Sequence, residues 1–344
     1  MDDNPLPNCN MCLGSSDPQY LKYNMAVSGI VLPIVGVIGL CGNLLVVMVY
    51  GSVQLRVQSM SIYLAALACS DFCMICTALI LYVLEAWRHQ GSTVSAEIYG
   101  WSAPYVFPIS TCLQTTSVYY CVAAAADCFI AVVLPYRCKH RLCTPGRAII
   151  VVLSMALISL LYNIPHFFEL TSVVCVNDEL NGTISVQICP TALRMNELYY
   201  KYYYTYLYTI FMAVGPLVMI VVLNACVVTA VMKKGASEDS DTISLILVVF
   251  MFIFCNAVAL GVNFIEMIFA DQVQDILVYL VDMSNLLVVI NCTGNFFCYL
   301  FFGASFRRIL KQKLHLGKKP IKQEMVWVQR QSLLNGHQIT ANVE

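Results

Sequence analysis

Residues 25–50 read MAVSGIVLPIVGVIGLCGNLLVVMVY, a stretch without one charged side chain. A helix rises about 1.5 Å per residue, so about 20 apolar residues cross the hydrocarbon core of a bilayer. Six further stretches of the same kind follow along the chain. The seven predicted spans are 25–50, 59–84, 102–134, 147–167, 203–232, 242–270 and 276–303. The sequence therefore predicts an all-α membrane protein, a seven-transmembrane helix bundle that occupies residues 25–303.

The distribution of positive charge predicts how this bundle lies in the membrane. The chain is 59% hydrophobic and 11% charged, whereas soluble domains carry about 25% charged residues. Of its 19 Lys and Arg residues, 15 lie in the pieces on the C-terminal side of the membrane, counting Arg147 at the start of span four. Lys and Arg accumulate in cytosolic loops. We therefore expect an extracellular N-terminus, a cytosolic C-terminus and a multi-pass protein of the plasma membrane.

Polar appendages flank the predicted bundle. Residues 1–24 are expected to be a short extracellular segment, and residues 317–344 a disordered cytosolic tail. The piece between the bundle and the tail, 304–316, is predicted to form an amphipathic helix on the membrane surface. Its apolar face consists of Phe306, Ile309, Leu310 and Leu314. Its basic residues favour contact with anionic membrane lipid, and nothing in the sequence indicates a nucleic-acid partner.

The extracellular side carries the cysteines that can form disulfides. Eleven of the 17 cysteines lie inside predicted spans, where cysteine behaves as a small hydrophobic residue. Four face the oxidising side: Cys9, Cys12, Cys175 and Cys189. Four cysteines allow three pairings, and the sequence does not choose among them. The loop between spans four and five also holds Asn181-Gly182-Thr183, a predicted N-glycosylation sequon.

Polar residues inside the predicted spans require a reason, because an ionisable group at mid-membrane costs about 2.5–3.5 kcal/mol on the insertion scale. Asp71 lies in the middle of span two, and four further residues reach the same depth: Asn43, Ser117, Asn291 and Asn295. We interpret these five as one polar cluster that can hold water and a small cation such as sodium. The alternative is a set of helix–helix hydrogen bonds that serve packing alone.

A second polar group lies near the outer ends of spans six and seven. Asn263 and Glu266 share a face of span six, and Asp282 and Asn285 share a face of span seven. These four residues predict an acidic wall that opens outward and binds a cationic ligand. The alternative is that they only solvate the ends of the helices. Tyrosines crowd the start of span five, and an interfacial aromatic belt explains most of them. Some, Tyr206 among them, are expected to line the pocket.

These landmarks resemble those of rhodopsin-like (class A) G-protein-coupled receptors. The matching residues lie in order in spans one, two, three, five and seven; they are Gly42-Asn43, Leu67-Ala68…Asp71, Asp127, Pro216 and Asn295…Tyr299. Within that class four strings look like the FMRFamide-type neuropeptide receptors of invertebrates. They are QTTSVYYCVAAAADCFIAVVLPYRCKHRLCTPGRA (114–148), YNIPHFFEL (162–170), PTALRMNELYYKYYYTYLYTIFM (190–212) and SNLLVVINCTGNFFCYLFFG (284–303).

The resemblance implies an extracellular amidated peptide as ligand and a heterotrimeric G protein as intracellular partner. A ligand Arg is expected to pair with Glu266 or Asp282, and Gln114 to lie at the floor of the pocket. The resemblance also implies a switch at the inner ends of spans three and seven, made of Asp127, Cys128 and Tyr299. It implies no enzymatic activity and no cofactor other than the sodium ion at Asp71.

The chain also departs from the family pattern. Cys128 occupies the place of the arginine in Asp/Glu-Arg-Tyr, so Glu238 at the foot of span six lacks its usual partner. Ala103 lies near the place of the cysteine that ties span three to the second external loop. Two interpretations follow from Cys128: a receptor with weaker or altered G-protein engagement, or a poorly coupled receptor that acts as a decoy or dimer partner.

Other classes of membrane protein fit the sequence less well. A secondary transporter, the main alternative, predicts repeated halves with spans broken at matching positions, and no such repeat occurs. A channel predicts rings of charge or a filter loop. An intramembrane hydrolase predicts an HExxH or GxSxG string, and the chain contains neither.

Overall fold

The computed structural model describes residues 7–9, 12, 17–88, 90, 93–177, 183–234 and 240–314. Six helices in this part of the chain are long and apolar enough to cross a membrane. They are Pro18–Tyr50, Ser59–Arg88, Val94–Val132, Pro145–Phe168, Glu197–Lys233 and Asp275–Phe302. A shorter apolar helix covers Ile246–Val262. In chain order these seven are spans one to seven, with Ile246–Val262 as span six, and they confirm the predicted helical bundle.

Spans six and seven are two arms of one helical segment, Ser240–Phe302. A Cβ atom added to Gly294 would lie 3.3 Å from the Cε of Met251. A straight helix would separate these two residues by about 64 Å, at about 1.5 Å per residue. The segment therefore reverses direction between Met251 and Gly294, so that span six and span seven lie side by side.

Three helices begin earlier than the sequence predicts. Span one starts at Pro18 rather than at 25, because the side chain of Asp17 accepts hydrogen bonds from the backbone N–H groups of residues 19 and 20 at 3.2 and 3.3 Å. Span five starts at Glu197 rather than at 203, where Asn196 caps the helix in the same way. Span three begins at Thr93 rather than at 102. In spans one and five, capping side chains extend the helix beyond the apolar run.

Some turns of the spans depart from α geometry. Span one is π-helical over Met25–Val31, and span two over Leu79–Val83. Span five begins with two π-helical stretches, Tyr200–Leu207 and Thr209–Val214. Span four ends in a 3-10 helix over Ile164–Phe168. A short helix, Tyr136–Leu142, connects span three to span four.

Spans one, two and seven share a buried core. Its members include Leu32 of span one, Met74 and Ile75 of span two, and Leu286 and Val289 of span seven. The backbones of spans one and seven come close beside it: a Cβ on Gly42 would lie 2.8 Å from the ring of Phe296. Span four, by contrast, exposes apolar side chains, and Ile150 and Leu153 are among them. Such a surface is suited to lipid.

A β-hairpin covers part of one end of the bundle. Strand β1 (Leu170–Asn177) pairs with strand β2 (Thr183–Pro190) in antiparallel register, with Leu170 opposite Pro190. Ser172 Oγ donates a hydrogen bond to the Gly100 carbonyl of span three at 2.6 Å. A Cβ on Gly100 would lie 2.7 Å from Val186 of β2. The hairpin therefore sits directly on span three without a covalent link.

The hairpin is tied instead to the N-terminal segment. Disulfides join Cys9 to Cys175 and Cys12 to Cys189, with Cα–Cα distances of 5.0 and 5.3 Å. Val176 N donates to the Pro7 carbonyl at 2.9 Å, and Cys9 N donates to the Val176 carbonyl at 3.0 Å. This selects one of the three pairings that the sequence left open. The predicted sequon at Asn181 lies outside the described residues.

A last helix, Ala304–Leu314, occupies most of the segment predicted to be amphipathic. Its first three residues belong to the first of two units, Met1–Phe306. In the first unit the ring of Phe306 lies 5.7 Å from that of Tyr50 and 5.9 Å from that of Tyr299. Contact of this helix with a membrane surface stays a prediction.

Candidate functional site

The structure brings the polar residues of spans two, three and seven together at Asp71. The carboxylate of Asp71 is fully buried. Ser117 Oγ of span three donates a hydrogen bond to its Oδ1 at 2.7 Å, and Asn295 Nδ2 of span seven donates to its Oδ2 at 2.7 Å. Both carboxylate oxygens therefore have a donor, which offsets part of the cost of burial. We call these three residues the Asp71 network.

Among the described residues, the side chains that donate to Asp71 are those of Ser117 and Asn295, and not those of Asn43 and Asn291, the other predicted members. Asn43 Nδ2 donates to the carbonyls of Gly39 and Cys292, each at 3.0 Å, and so links span one to span seven. In the part of the chain that the structure describes, the Oδ1 atoms of Asn43 and Asn291 are buried without a hydrogen-bond partner. These oxygens can accept from water or face a cation.

A small cavity adjoins the Asp71 network. Its volume is about 20 Å³, and its lining includes Gln114 and Ser117 of span three, Asn256 of span six and Asn291 of span seven. Such a space accommodates a water molecule or a monatomic ion, since one water needs about 10–15 Å³ by this measure. It is too small for a peptide side chain. Gln114 lines this cavity, and its predicted place at the floor of a ligand pocket stays a prediction.

The donor set at the cavity suits a monovalent cation better than a transition metal. Among the described residues no group of three or more His, Cys, Asp or Glu side chains could hold a metal ion. The cavity lining offers the hydroxyl of Ser117 and the side-chain amides of Gln114, Asn256 and Asn291, and the Asp71 carboxylate adjoins it through Ser117; their oxygens are hard ligands. The residues present therefore fit sodium, with Asp71 and Ser117 as the expected ligands.

At the inner end of span three the acid of the family motif has a new partner. Ser59 Oγ, at the start of span two, donates a hydrogen bond to Asp127 Oδ2 at 2.7 Å. Cys128 is buried and has neither the length nor the charge of the arginine that it replaces. Tyr299 is buried among aromatic rings, and within the described residues its hydroxyl has no partner. Glu238 lies outside the described residues.

At the outer end of span seven the predicted acidic wall is closed where the structure describes it. Asp282 is only 4% exposed, and Asn24 Nδ2 of span one donates to its Oδ2 at 2.8 Å. Tyr23 OH donates to the Tyr279 carbonyl at 3.2 Å beside this contact. Asp282 thus serves a contact between spans one and seven, because span one extends outward to Pro18. The predicted binding of a cation by this wall stays a prediction, with Asp282 buried against span one.

The other predicted ligand residues divide into two groups. The side chains of Asn263 and Glu266 lie outside the described residues, so their predicted role remains a prediction. Asn285 is partly buried one turn from Asp282. Tyr206 is 50% exposed on span five, and its ring lies 6.1 Å from that of Tyr202. That position matches the interfacial belt more closely than a pocket lining.

A buried acid that the sequence did not single out lies where span four meets the hairpin. Glu169 is completely buried, and three groups surround its carboxylate. His166 Nδ1 lies 2.8 Å from Oε1, Arg194 Nη1 donates to Oε2 at 2.8 Å, and Tyr199 OH donates to Oε1 at 2.6 Å. We call these four residues the Glu169 clamp. Burial alone would raise the pKa of Glu169, but the hydrogen bonds from His166 and Tyr199 and the charge of Arg194 hold it below its ordinary value.

A second overlooked group lies at the outer end of span two. Arg88 Nη2 is 3.9 Å from Glu85 Oε1, and the Arg88 guanidinium lies 4.8 Å from the centre of the Tyr99 ring. Glu85 keeps 31% of its side chain exposed, so it is more accessible than Asp282, which is 4% exposed. Glu85 lies one residue beyond the predicted end of span two, and that position could have identified it as an acid at the outer end.

The chain matches known receptors over most of its length. The family of 7 transmembrane receptors (rhodopsin family) matches residues 42–299. The probable G-protein coupled receptor frpr-1 of Caenorhabditis elegans is 37% identical over 309 residues, which are 85% of this chain and 80% of that protein. The FMRFamide receptor of Drosophila melanogaster is 29% identical over 82% of this chain, and the FMRFamide peptide receptor frpr-18 of C. elegans is 28% identical over 80%. The chain covers 53% and 66% of these two relatives.

Proposed function

Because the chain belongs to the rhodopsin family of seven-transmembrane receptors, and so is a multi-pass protein of the plasma membrane, we propose that it binds an extracellular amidated peptide of the FMRFamide type and activates heterotrimeric G proteins. The observation that carries this proposal is the Asp71 network, which joins spans two, three and seven between the outer and inner ends of the bundle. The peptide class rests on the two relatives whose names state FMRFamide.

The proposed orientation places the N-terminus and the hairpin outside the cell. Two independent observations support it. The disulfides at Cys175 and Cys189 require an oxidising compartment, and both lie in the loop between spans four and five. The basic residues concentrate in the pieces of chain on the opposite side of the membrane from the hairpin. Arg307 and Arg308 are among them, in the helix that we propose to lie on the inner leaflet.

Binding requires the outer end of the bundle to open, because the cavity beside Gln114 holds only about 20 Å³. A cationic side chain of the peptide can then replace the amide of Asn24 at Asp282 or pair with Glu266. The test is thermal stabilisation of the receptor in lipid nanodiscs by Phe-Met-Arg-Phe-amide. The same peptide with a free carboxylate is the control. Stabilisation by neither peptide, nor by other amidated peptides, would contradict the proposed ligand class.

A second function is favoured by the inner end of span three. With Cys128 in place of arginine and Asp127 bonded to Ser59, the chain lacks the charged group that its resemblance to the family assigns to G-protein contact. A receptor that binds peptide but couples poorly, as a decoy or as a dimer partner, would show these features. Robust peptide-driven nucleotide exchange by the unmodified receptor would reject this function.

The Cys128→Arg variant separates the two functions. If the missing arginine limits coupling, this variant should increase peptide-stimulated nucleotide exchange several-fold and leave peptide affinity within about twofold, since ligand and G protein meet opposite ends of the bundle. Cys138→Arg adds the same charge ten residues away, in the helix Tyr136–Leu142, and serves as the control. Equal stimulation in Cys128→Arg and the unmodified receptor would show that Cys128 does not limit coupling.

A further inference from the structure

We propose that Glu169 is a positioning residue for ligand binding, which holds the outer end of span four, the base of the hairpin and the start of span five as one unit. This inference rests on the proposed function insofar as peptide affinity is one of its measurements. The four residues of the Glu169 clamp come from three separate pieces of chain: His166 and Glu169 from the end of span four, Arg194 from the segment after β2, and Tyr199 from span five.

The base of the hairpin closes at Glu169 through the backbone as well as the side chain. Thr191 N donates to the Glu169 carbonyl at 2.8 Å, and Thr191 Oγ1 donates to the Phe168 carbonyl at 2.6 Å. The chain thus leaves span four, forms both strands and returns to the residue from which it left. Arg194, three residues further on, reaches the carboxylate. Both ends of the external loop therefore depend on this one residue.

The clamp continues into span five through an aromatic stack. The Tyr199 ring stacks on Tyr203 with centroids 5.0 Å apart, and the Tyr203 ring meets the His166 ring at 5.3 Å. Tyr203 OH also donates to the Tyr162 carbonyl at 2.7 Å in span four. Span five is π-helical from Tyr200, and π-helical turns are frequent at functional sites. The clamp thus fixes the position at which this wide helix starts.

The charge of Glu169 explains why the outer end of span four, the hairpin base and the start of span five must stay together. A buried carboxylate is costly unless it is paired and hydrogen-bonded. Here all its donors come from neighbouring elements of the loop and spans, so a movement of any one of them leaves the carboxylate partly unpaired. The lowered pKa of Glu169 is consistent with a carboxylate that stays ionised at neutral pH.

The disulfides do not duplicate this role. They join the hairpin to the N-terminal segment at Cys175 and Cys189, and neither reaches span five. Span three carries Ala103 near the position of the usual cysteine, and its described contacts include the Ser172–Gly100 hydrogen bond, close packing at Gly100 and the Phe107 ring 5.8 Å from the ring of His166. In the described part of the chain, the position of the hairpin base relative to span five is therefore set by the Glu169 clamp.

The experiment uses the full receptor in lipid nanodiscs with Glu169→Gln, Arg194→Gln and the double variant. Glu197→Gln, which neutralises an exposed acid at the start of span five, is the control. The measurements are the affinity for Phe-Met-Arg-Phe-amide well below the unfolding temperature, and amide hydrogen exchange without ligand. Arg194 keeps about a third of its side chain exposed, so this variant should fold even where Glu169→Gln does not.

We expect each single variant to lose roughly tenfold in affinity, the loss of one charge-assisted hydrogen bond. The double variant should lose less affinity than the product of the two single fold losses. Each single variant leaves a charged group without its partner, whereas the double variant has two neutral amides. Glu197→Gln should stay within about twofold. Amide exchange at Thr191 and at the start of span five should accelerate roughly tenfold in Arg194→Gln, while span two stays unchanged.

A purely structural clamp would give a different result: lower unfolding temperatures with unchanged peptide affinity, and this would overturn the positioning role. If no peptide binds the unmodified receptor, the proposed function fails, and hydrogen exchange then decides the clamp alone. If amide exchange at Thr191 and at the start of span five is the same in Arg194→Gln as in the unmodified receptor, the proposed clamp is overturned.

Discussion

Asp71 accepts one hydrogen bond on each carboxylate oxygen, from Ser117 and from Asn295. A charged group at mid-membrane costs about 2.5–3.5 kcal/mol on the insertion scale, and two good donors offset part of that cost. The cost is therefore met by partners on two other helices. A residue held in this way responds to any movement of span three or span seven, which suits a group that couples the two ends of a receptor.

The first residue-scale prediction concerns sodium. Sodium chloride should raise the unfolding temperature of the unmodified receptor above its value in choline chloride of equal concentration, because an ion that binds only the folded state stabilises it. Asp71→Asn keeps the shape of the side chain but removes its charge, and should abolish the difference. Asp127→Asn, at a second buried acid bonded to a serine hydroxyl, should retain it. A sodium response that survives in Asp71→Asn would place the ion elsewhere.

The second residue-scale prediction concerns the acids at the outer end. Glu266→Gln and Asp282→Asn should each weaken binding of an Arg-containing amidated peptide by about 1–3 kcal/mol, if the peptide cation is desolvated against them. Asp282→Asn keeps an oxygen that accepts from Asn24, so the contact between spans one and seven persists. Glu97→Gln, at an exposed acid of span three, is the control. Unchanged affinity in both variants would exclude this wall as the cation site.

At the scale of elements, the main surprise is where the helices and the hairpin are fastened. Hydrophobic runs locate the spans but not their capped ends, so they did not predict that span one reaches Pro18 and covers Asp282. Four extracellular cysteines predicted disulfides, yet the choice between pairings depends on the position of the N-terminal segment beside β1. The Glu169 clamp was also missed, because Arg194 and Tyr199 reach Glu169 only after the hairpin has folded.

The element-scale prediction concerns the two disulfides. Cys9→Ala with Cys175→Ala, and separately Cys12→Ala with Cys189→Ala, should each lower the unfolding temperature, since loss of a disulfide typically costs about 2–5 kcal/mol in small secreted domains. Each disulfide links residues more than 160 positions apart, so its removal releases a long loop. Cys69→Ala with Cys73→Ala, at exposed free cysteines of span two, should leave the temperature almost unchanged. Equal temperatures in all pairs would show that the N-terminal tether does not stabilise the fold.

At the scale of the whole molecule, the seven spans and the family of the chain were predictable, because apolar length and a few polar landmarks recur in order along it. Of the four residues that their depth predicted beside Asp71, the structure places Ser117 and Asn295 directly on its carboxylate. The burial of Asp282 was not predictable from hydrophobic runs, since it depends on the extension of span one. Whether the bundle activates a G protein through an inner end with Cys128 is a property of the assembled receptor.

The most direct test of that property is peptide-driven nucleotide exchange on purified heterotrimeric G proteins by the full receptor in lipid nanodiscs. If the chain is a coupled receptor for FMRFamide-type peptides, Phe-Met-Arg-Phe-amide or a related amidated peptide should accelerate exchange in a dose-dependent way. The same peptide with a free carboxylate should act far more weakly. A peptide that stabilises the receptor against heat but leaves exchange at its basal rate, across a panel of G proteins, would contradict a coupled receptor and favour a decoy.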